Sequence, residues 1–223
     1  MSITVAIIAR DEEQTVASVV RAARPFADEL LLIDGGSSDR TAELAGAAGA
    51  AVLRDHGRGK GDGVRTAIAS AAGDVLVLMD ADGSHSAGDI PALCAPISAG
   101  QAEMVIGSRL RGGSDEFHGT LDNVVRQIGG TVISWMLHWR WGTDITDCEN
   151  GFRAVNLQAA RQLRLEAEDF LIEQELTIRA IKAGWRILEV ASHEYKRQGG
   201  VSKLRTMTGW KFLWHLALEL INR

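Results

Sequence analysis

Met79-Asp80-Ala81-Asp82 follows directly on the apolar run Val75-Leu76-Val77-Leu78. A run of that kind, opened by Gly73-Asp74, reads as a buried strand. Its two carboxylates therefore stand at the strand's C-terminal end, where open α/β sheets bind ligands. Acidic groups this close repel one another, and a divalent cation removes the repulsion. Mg²⁺ takes one or two carboxylates together with substrate phosphates. The pair points to a metal-bridged pyrophosphate. A solvated acidic turn is the plain alternative, because three-residue patterns recur by chance.

Three further loops stand at expected strand ends: Ala9-Arg10-Asp11-Glu12-Glu13, Asp34-Gly35-Gly36-Ser37-Ser38-Asp39 and Gly57-Arg58-Gly59-Lys60-Gly61. In a parallel sheet they open on the same edge as Asp80 and Asp82. Glycines such as Gly36 allow close backbone approach, and carboxylates accept bonds from a base or a ribose. Lys60 is placed to reach a phosphate. Each loop also has a plain reading, as first-turn helix acids, a turn or a solvated charge. Their convergence carries the argument.

The elements that must position these loops alternate. Thr4–Ile8, Leu30–Ile33, Ala51–Leu53, Val75–Met79 and Met104–Ile106 read as strands. Val16, Val19, Val20 and Ala23 recur at helical spacing, as do Val64, Ile68 and Ala71. Residues 40–48 form a helix that Ser38 or Asp39 can cap. This rhythm predicts an α/β fold with a mostly parallel, doubly wound sheet. The second half is more helical, with helices over 123–139, 157–165, 170–183 and 208–221 and a strand over 186–190. No linker or internal repeat divides the chain. The organisation reads as a single domain, with a nucleotide-side half over 1–109 and an acceptor-side half over 110–223.

The 223 residues carry a net charge of −5 and 46% hydrophobic residues, ordinary for a globular protein and a poor fit to nucleic-acid binding. Cys94 and Cys148 form no disulfide framework and no metal-ligand spacing. The N-terminus lacks a basic leader, and no apolar run is long enough to span a bilayer. The expected location is the cytoplasm, or the cytoplasmic face of a membrane at its surface.

Taken in order, the motifs resemble those of family 2 glycosyltransferases of the GT-A fold, a Rossmann-like sheet flanked by helices. Ile8–Glu13 resembles P-A-Y-N-E-E, and Ile33–Thr41 resembles V-D-D-G-S-x-D-G-T. Gly59-Lys60-Gly61 matches G-K-G, Asp80-Ala81-Asp82 the metal-binding D-x-D, and Gly107-Ser108-Arg109 the G-S-R. Asp147-Cys148-Glu149-Asn150-Gly151-Phe152-Arg153-Ala154 resembles D-T-x-S-G-F-R-A. Arg197–Leu204 resembles R-x-G-x-S-K-L. The last two motifs are similar to the branch of dolichol-phosphate mannosyltransferase and its bacterial polyprenyl-phosphate relatives.

That resemblance implies an inverting transfer of mannose or glucose from a nucleotide sugar to a lipid phosphate, with Mg²⁺ or Mn²⁺ as cofactor. GDP-mannose is the favoured donor and UDP-glucose the other. Carried over by position, Glu12 and Asp34 bind the nucleoside, with Gly36 beside them. Asp80 and Asp82 flank the metal. Arg109, Arg197 and Lys203 meet donor or acceptor phosphates, and Ser202 joins them in the late motif. The chain departs from the pattern at Arg10, which replaces a Tyr, at Gly35, which replaces the second Asp, and at Ser84, where the branch often has a Gln.

Cleaving a sugar–pyrophosphate bond leaves charge on the departing nucleotide, which Asp82-bound metal and cationic side chains stabilise. A phosphate monoester acceptor has a second pKa near ~6 and needs charge screening rather than a base. Arg109, Arg153, Arg197 and Lys203 are the candidates. A hydroxyl acceptor needs a base, for which Asp147, Glu173 and Glu175 are available. The two glutamates also fit as helix-dipole acids. His193 fits a late metal ligand or a plain surface residue, and the plain reading is favoured because a neutral imidazole is an unusual Mg²⁺ partner. Trp135, Trp139 and Trp141 cluster in one segment, and Trp210 and Trp214 in another, beside Lys203, Arg205 and Lys211. Such faces suit a membrane surface, core packing or a homodimer. The rival functions are transfer to a soluble or hydroxyl acceptor, a sugar nucleotidyltransferase, and a non-catalytic nucleotide-sugar binder.

Overall fold

The computed structural model describes residues 1–115 and 121–199, with 212, 214–216 and 219. Seven strands form one sheet in the order β3-β2-β1-β4-β6-β5-β7. They are β1 (Ile3–Ala9), β2 (Glu29–Asp34), β3 (Ala51–Arg54), β4 (Val75–Asp80), β5 (Met104–Ser108), β6 (Arg153–Asn156) and β7 (Ile187–Ala191). β1 to β4 are mutually parallel, and β7 runs parallel to β5. Only β6 is antiparallel to its neighbours β4 and β5.

The central strands are apolar throughout because both faces are covered. Val5 and Ile7 join one core with Leu30, Leu32, Val75, Val77 and Met79. Ala6 joins the other with Leu31, Ile33, Leu76 and Leu78. The first core is covered by α1 (Val16–Ala23), through Val16, Val19, Val20 and Ala23, and by α4 (Ile90–Ser98), through Ile90, Leu93 and Cys94. The second is covered by α3 (Lys60–Ser70), α6 (Leu121–Trp141) and α8 (Ile172–Lys182). The helix expected over 40–48 is α2 (Thr41–Ala47), and the Asp39 carboxylate accepts the Thr41 N–H at 2.9 Å.

Two expectations change in the second half. Residues 153–156 form β6, which the sequence reading had left inside a motif. The helix expected over 157–165 is a single turn, α7 (Leu157–Ala160). The chain beyond it leaves helical geometry to build the start of α3: Glu168 O accepts the Gly61 N–H at 2.9 Å. A Cβ on Gly61 would lie 1.9 Å from Ala167 O, so only glycine permits this approach. Most of the helix expected over 208–221, including Trp210, lies outside the described residues. Phe212 and Leu216 are buried, and Trp214 is 61% exposed.

Candidate active site

Because β1, β2, β3 and β4 run parallel and in register, Ala9 lies opposite Asp34, and Ile8 opposite Asp80. Their C-terminal loops therefore share one edge, as the sequence requires. Asp80 is held by Lys60, the first residue of α3, with Nζ 2.8 Å from Oδ1. The same ammonium lies 2.7 Å from Glu173 Oε1 at the start of α8. Burial opposes the Lys60 charge, but Asp80 and Glu173 outweigh it and hold the ammonium above its ordinary range. Burial likewise opposes the Asp80 charge, and Lys60 and then His85 hold that carboxyl well below the usual range.

Asp82 is gripped from the far end of the chain. Arg197 places one guanidinium nitrogen 2.8 Å from Asp82 Oδ2 and the other 2.9 Å from Glu12 Oε1. Gln198 N donates to Asp82 O at 3.1 Å. Ser84 closes the turn by donating its N–H and hydroxyl to Asp82 Oδ1, at 3.0 and 2.6 Å. His85 is buried and stacks on Phe152, with ring centroids 5.0 Å apart. Its Nε2 is 3.9 Å from Asp80 Oδ2. Gly151 completes this cluster, since a Cβ there would come within 2.9 Å of both Asp80 Oδ2 and Lys60 Nζ.

A second charged cluster lies at the end of β5. Arg109 forks onto Asp147, with Nε to Oδ2 and Nη2 to Oδ1 both 2.7 Å, and its backbone N–H adds a third bond to Oδ2. Its remaining nitrogen is 3.4 Å from Glu194. Burial alone would raise the Asp147 carboxyl, but Arg109 more than offsets it and the net shift is downward. From β7, Glu189 Oε1 accepts the N–H groups of Thr146 and Asp147, both at 2.8 Å, and fixes the loop.

The expected site residues do not all converge. Glu12, Asp80, Asp82, Lys60, Glu173 and Arg197 are brought together, and Arg109 pairs with Asp147 in the second cluster. Asp34 is buried at the end of β2, where Oδ1 accepts the Ser37 N–H at 3.0 Å. Gly36 occupies a positive φ of 81° in the same turn. Arg153 is a correction: it is fully buried and donates to the carbonyls of Cys148, Asn150 and Glu173, so it braces the protein and does not face a phosphate. Glu175 is likewise structural, since its buried carboxylate accepts the N–H groups of Glu166 and Ala167. His193 bridges Gly112 O and Asp115, in keeping with its plain reading. Ser202 and Lys203 lie outside the described residues.

The sequence reading missed His85, Glu149 and Glu194. His85 carried a legible signal, a titratable side chain three residues beyond Asp82. Glu149 occupies the variable position of its motif, and Glu194 lies in no motif.

Two carboxylates at an open edge are hard oxygen donors that suit Mg²⁺ or Mn²⁺, with the other positions left for water and phosphate. Among the described residues no cluster of three or more acidic, histidine or cysteine side chains forms a closed cage. The donor set thus fits a cation shared with a substrate.

Residues 4–161 match the model of glycosyl transferase family 2. Glycosyltransferase AglJ of Haloferax volcanii is 34% identical over 193 residues, 85% of this chain and 62% of that protein. The undecaprenyl-phosphate mannosyltransferase of Micrococcus luteus is 31% identical over 147 residues, 59% of this chain and 53% of its own. This chain thus spans less than two thirds of each of these two relatives. Glucosyl-3-phosphoglycerate synthase of Mycobacterium tuberculosis, solved with Mn²⁺, UDP-glucose and phosphoglyceric acid, superposes with a TM-score of 0.75 at 22% identity. That match covers 98% of this chain and 79% of the synthase, and it establishes a common GT-A sheet. On the family match, which takes in the acidic pair and the three other strand-end loops, the chain belongs to glycosyl transferase family 2.

Proposed function

We propose that the chain transfers a hexose, with inversion, from a nucleoside diphosphate sugar to a polyprenyl phosphate. The observation that carries this reading is the acidic pair Asp80/Asp82 at the strand-end edge, with Lys60 and Arg197 each within 3 Å of one carboxylate. Asp80 and Asp82 would hold a divalent cation, which when bound supplies positive charge against the donor's diphosphate. Lys60 and Arg197 already stand beside that position, and their charge offsets what builds on the departing nucleotide. Asp34 and the Gly36 turn face the nucleoside, and Arg197 orients Glu12 beside them.

Support for the acceptor is chemical and comparative. A phosphate monoester is its own nucleophile at neutral pH and needs orientation and screening, which Arg109 at the β5 end supplies. The name of the Micrococcus relative supports mannose and a lipid phosphate. Trp135 and Trp139, one helical turn apart on α6, are 64% and 70% exposed beside the exposed Val132. An apolar strip with tryptophans suits contact with a lipid surface at the cytoplasmic face, and burial in a homodimer would use the same strip. Among the described residues no helix is long and apolar enough to cross a membrane.

The synthase complex favours a second reading, in which UDP-glucose is the donor and a soluble acid is the acceptor. Product partition separates the two. With GDP-[¹⁴C]mannose or UDP-[¹⁴C]glucose and Mn²⁺, label is expected in the organic phase only when polyprenyl phosphate is present. Label that stays aqueous with every lipid phosphate overturns the proposal.

A further inference from the structure

Glu149 lies between the two charged clusters, two residues from Asp147 and two from Gly151. It is partly exposed, and among the described residues its carboxyl makes no hydrogen bond or ion pair. Across from it stands Gly130 of α6, which has no side chain of its own to cover that oxygen: a Cβ there would be 3.6 Å from Glu149 Oε2. The charged groups that face it are Arg109, Asp147 and Glu173. Arg109 is committed to Asp147, and Glu173 to Lys60. Among the described residues Glu149 is thus partly exposed, with two acidic neighbours and no cation of its own.

We propose that Glu149 is a contact of the acceptor that carries a proton: it donates a hydrogen bond to the acceptor's phosphate monoester, which therefore binds together with one proton. The inference rests on the phosphate-acceptor reading above. A phosphate dianion placed beside Arg109 meets Asp147, Glu149 and Glu173 at once, and like charges in a site of low polarity are costly. Asp147 and Glu173 cannot take a proton without releasing a cation they hold. Glu149 can, and the proton both removes one repulsive charge and turns an acceptor into a donor for a phosphate oxygen. Burial, and then Asp147 and Glu173 against the pull of Arg109, already push this carboxyl up to about 7. The group therefore takes a proton more readily than an ordinary carboxyl, and an arriving dianion raises its proton affinity further.

Calorimetric titration of a short-chain, water-soluble prenyl phosphate and of inorganic phosphate tests this. It compares wild type, Glu149→Gln and Glu149→Ala in two buffers of different ionisation enthalpy. Wild type should take up close to one proton on binding at pH 8.5, and its affinity should fall about tenfold per pH unit above ~7. Glu149→Gln keeps a donor, so it should bind with no pH slope in that range and no proton uptake. Glu149→Ala should bind more weakly than Glu149→Gln at every pH. In turnover the loss should fall on the acceptor KM rather than on kcat. A slope that persists in Glu149→Gln overturns the proposal. So does a loss of kcat above a hundredfold at saturating acceptor, which would make Glu149 the base for a hydroxyl. If wild type binds neither phosphate but still glycosylates a hydroxyl acceptor, the acceptor reading fails first and the inference with it.

Discussion

On the β1–β4 side, Asp34, Asp80 and Asp82 owe their places to parallel strands that end in register. On the β5–β6–β7 side, Arg109, Asp147 and Arg153 are held by side-chain bonds between loops, across an antiparallel strand. The first arrangement is fixed by backbone ladders, so single side chains there are free to serve chemistry. The second spends some of its charged groups on structure: Glu189 holds the Thr146–Asp147 backbone, and Arg153 ties the Cys148–Asn150 loop to α8. Equivalent-looking residues on the two sides should therefore fail differently when replaced.

The largest expected effect is on stability, at Arg153. Its guanidinium is enclosed and satisfies carbonyl oxygens on Cys148, Asn150 and Glu173. Arg153→Met would leave those acceptors buried without a partner, at a cost of about 3–5 kcal/mol. Urea unfolding measures it. A variant that loses transfer with an unchanged midpoint would return Arg153 to the phosphate role and erase the contrast between the sides.

The same contrast explains what the sequence made legible. Strands buried on both faces announce themselves as apolar runs, so β1, β2, β4 and β5 were found, and with them the shared edge and the Asp80/Asp82 pair. β6 was not, because a four-residue strand with Arg153 as its first residue carries no alternation long enough to read. The arginine's fate was equally hidden: burial follows from β6 inserting between β4 and β5, which no local pattern records. Glu175 looked like a base because first-turn acids are common, and its real partners are two backbone N–H groups of a segment expected to be a loop. Arg197 was tied to phosphate by motif alone, and the ion pairs to Glu12 and Asp82 span 185 and 115 residues.

Next in size is Asp82→Asn, which keeps a carbonyl for Ser84 but removes the charge that faces Arg197. Transfer should fall at least about a hundredfold, a barrier increase of roughly 2.7 kcal/mol. The urea midpoint should move far less than in Arg153→Met, because Arg197 keeps Glu12 as a partner. Initial rates across a Mn²⁺ titration check it, and a wild-type rate in the variant would remove Asp82 from the reaction.

The smallest expected effect probes a place where the two sides touch. Gly151 belongs to the Asp147–Gly151 loop, yet its Cα faces Asp80 and Lys60. A methyl there would sit 2.9 Å from both Asp80 Oδ2 and Lys60 Nζ, closer than a settled contact allows. Lys60 is the far end of a flexible side chain and can yield, whereas Asp80 stands at the end of a strand paired on both sides. Gly151→Ala should therefore loosen the Lys60–Asp80 pair before it disturbs the sheet. We expect transfer to fall about tenfold, or ~1.4 kcal/mol, with a stability loss below about 1.5 kcal/mol. The deficit should grow at low metal concentration if the displaced Asp80 is a ligand. A deficit that is the same at every Mn²⁺ concentration would mean that Gly151 matters to the fold of its loop and not to the acidic pair.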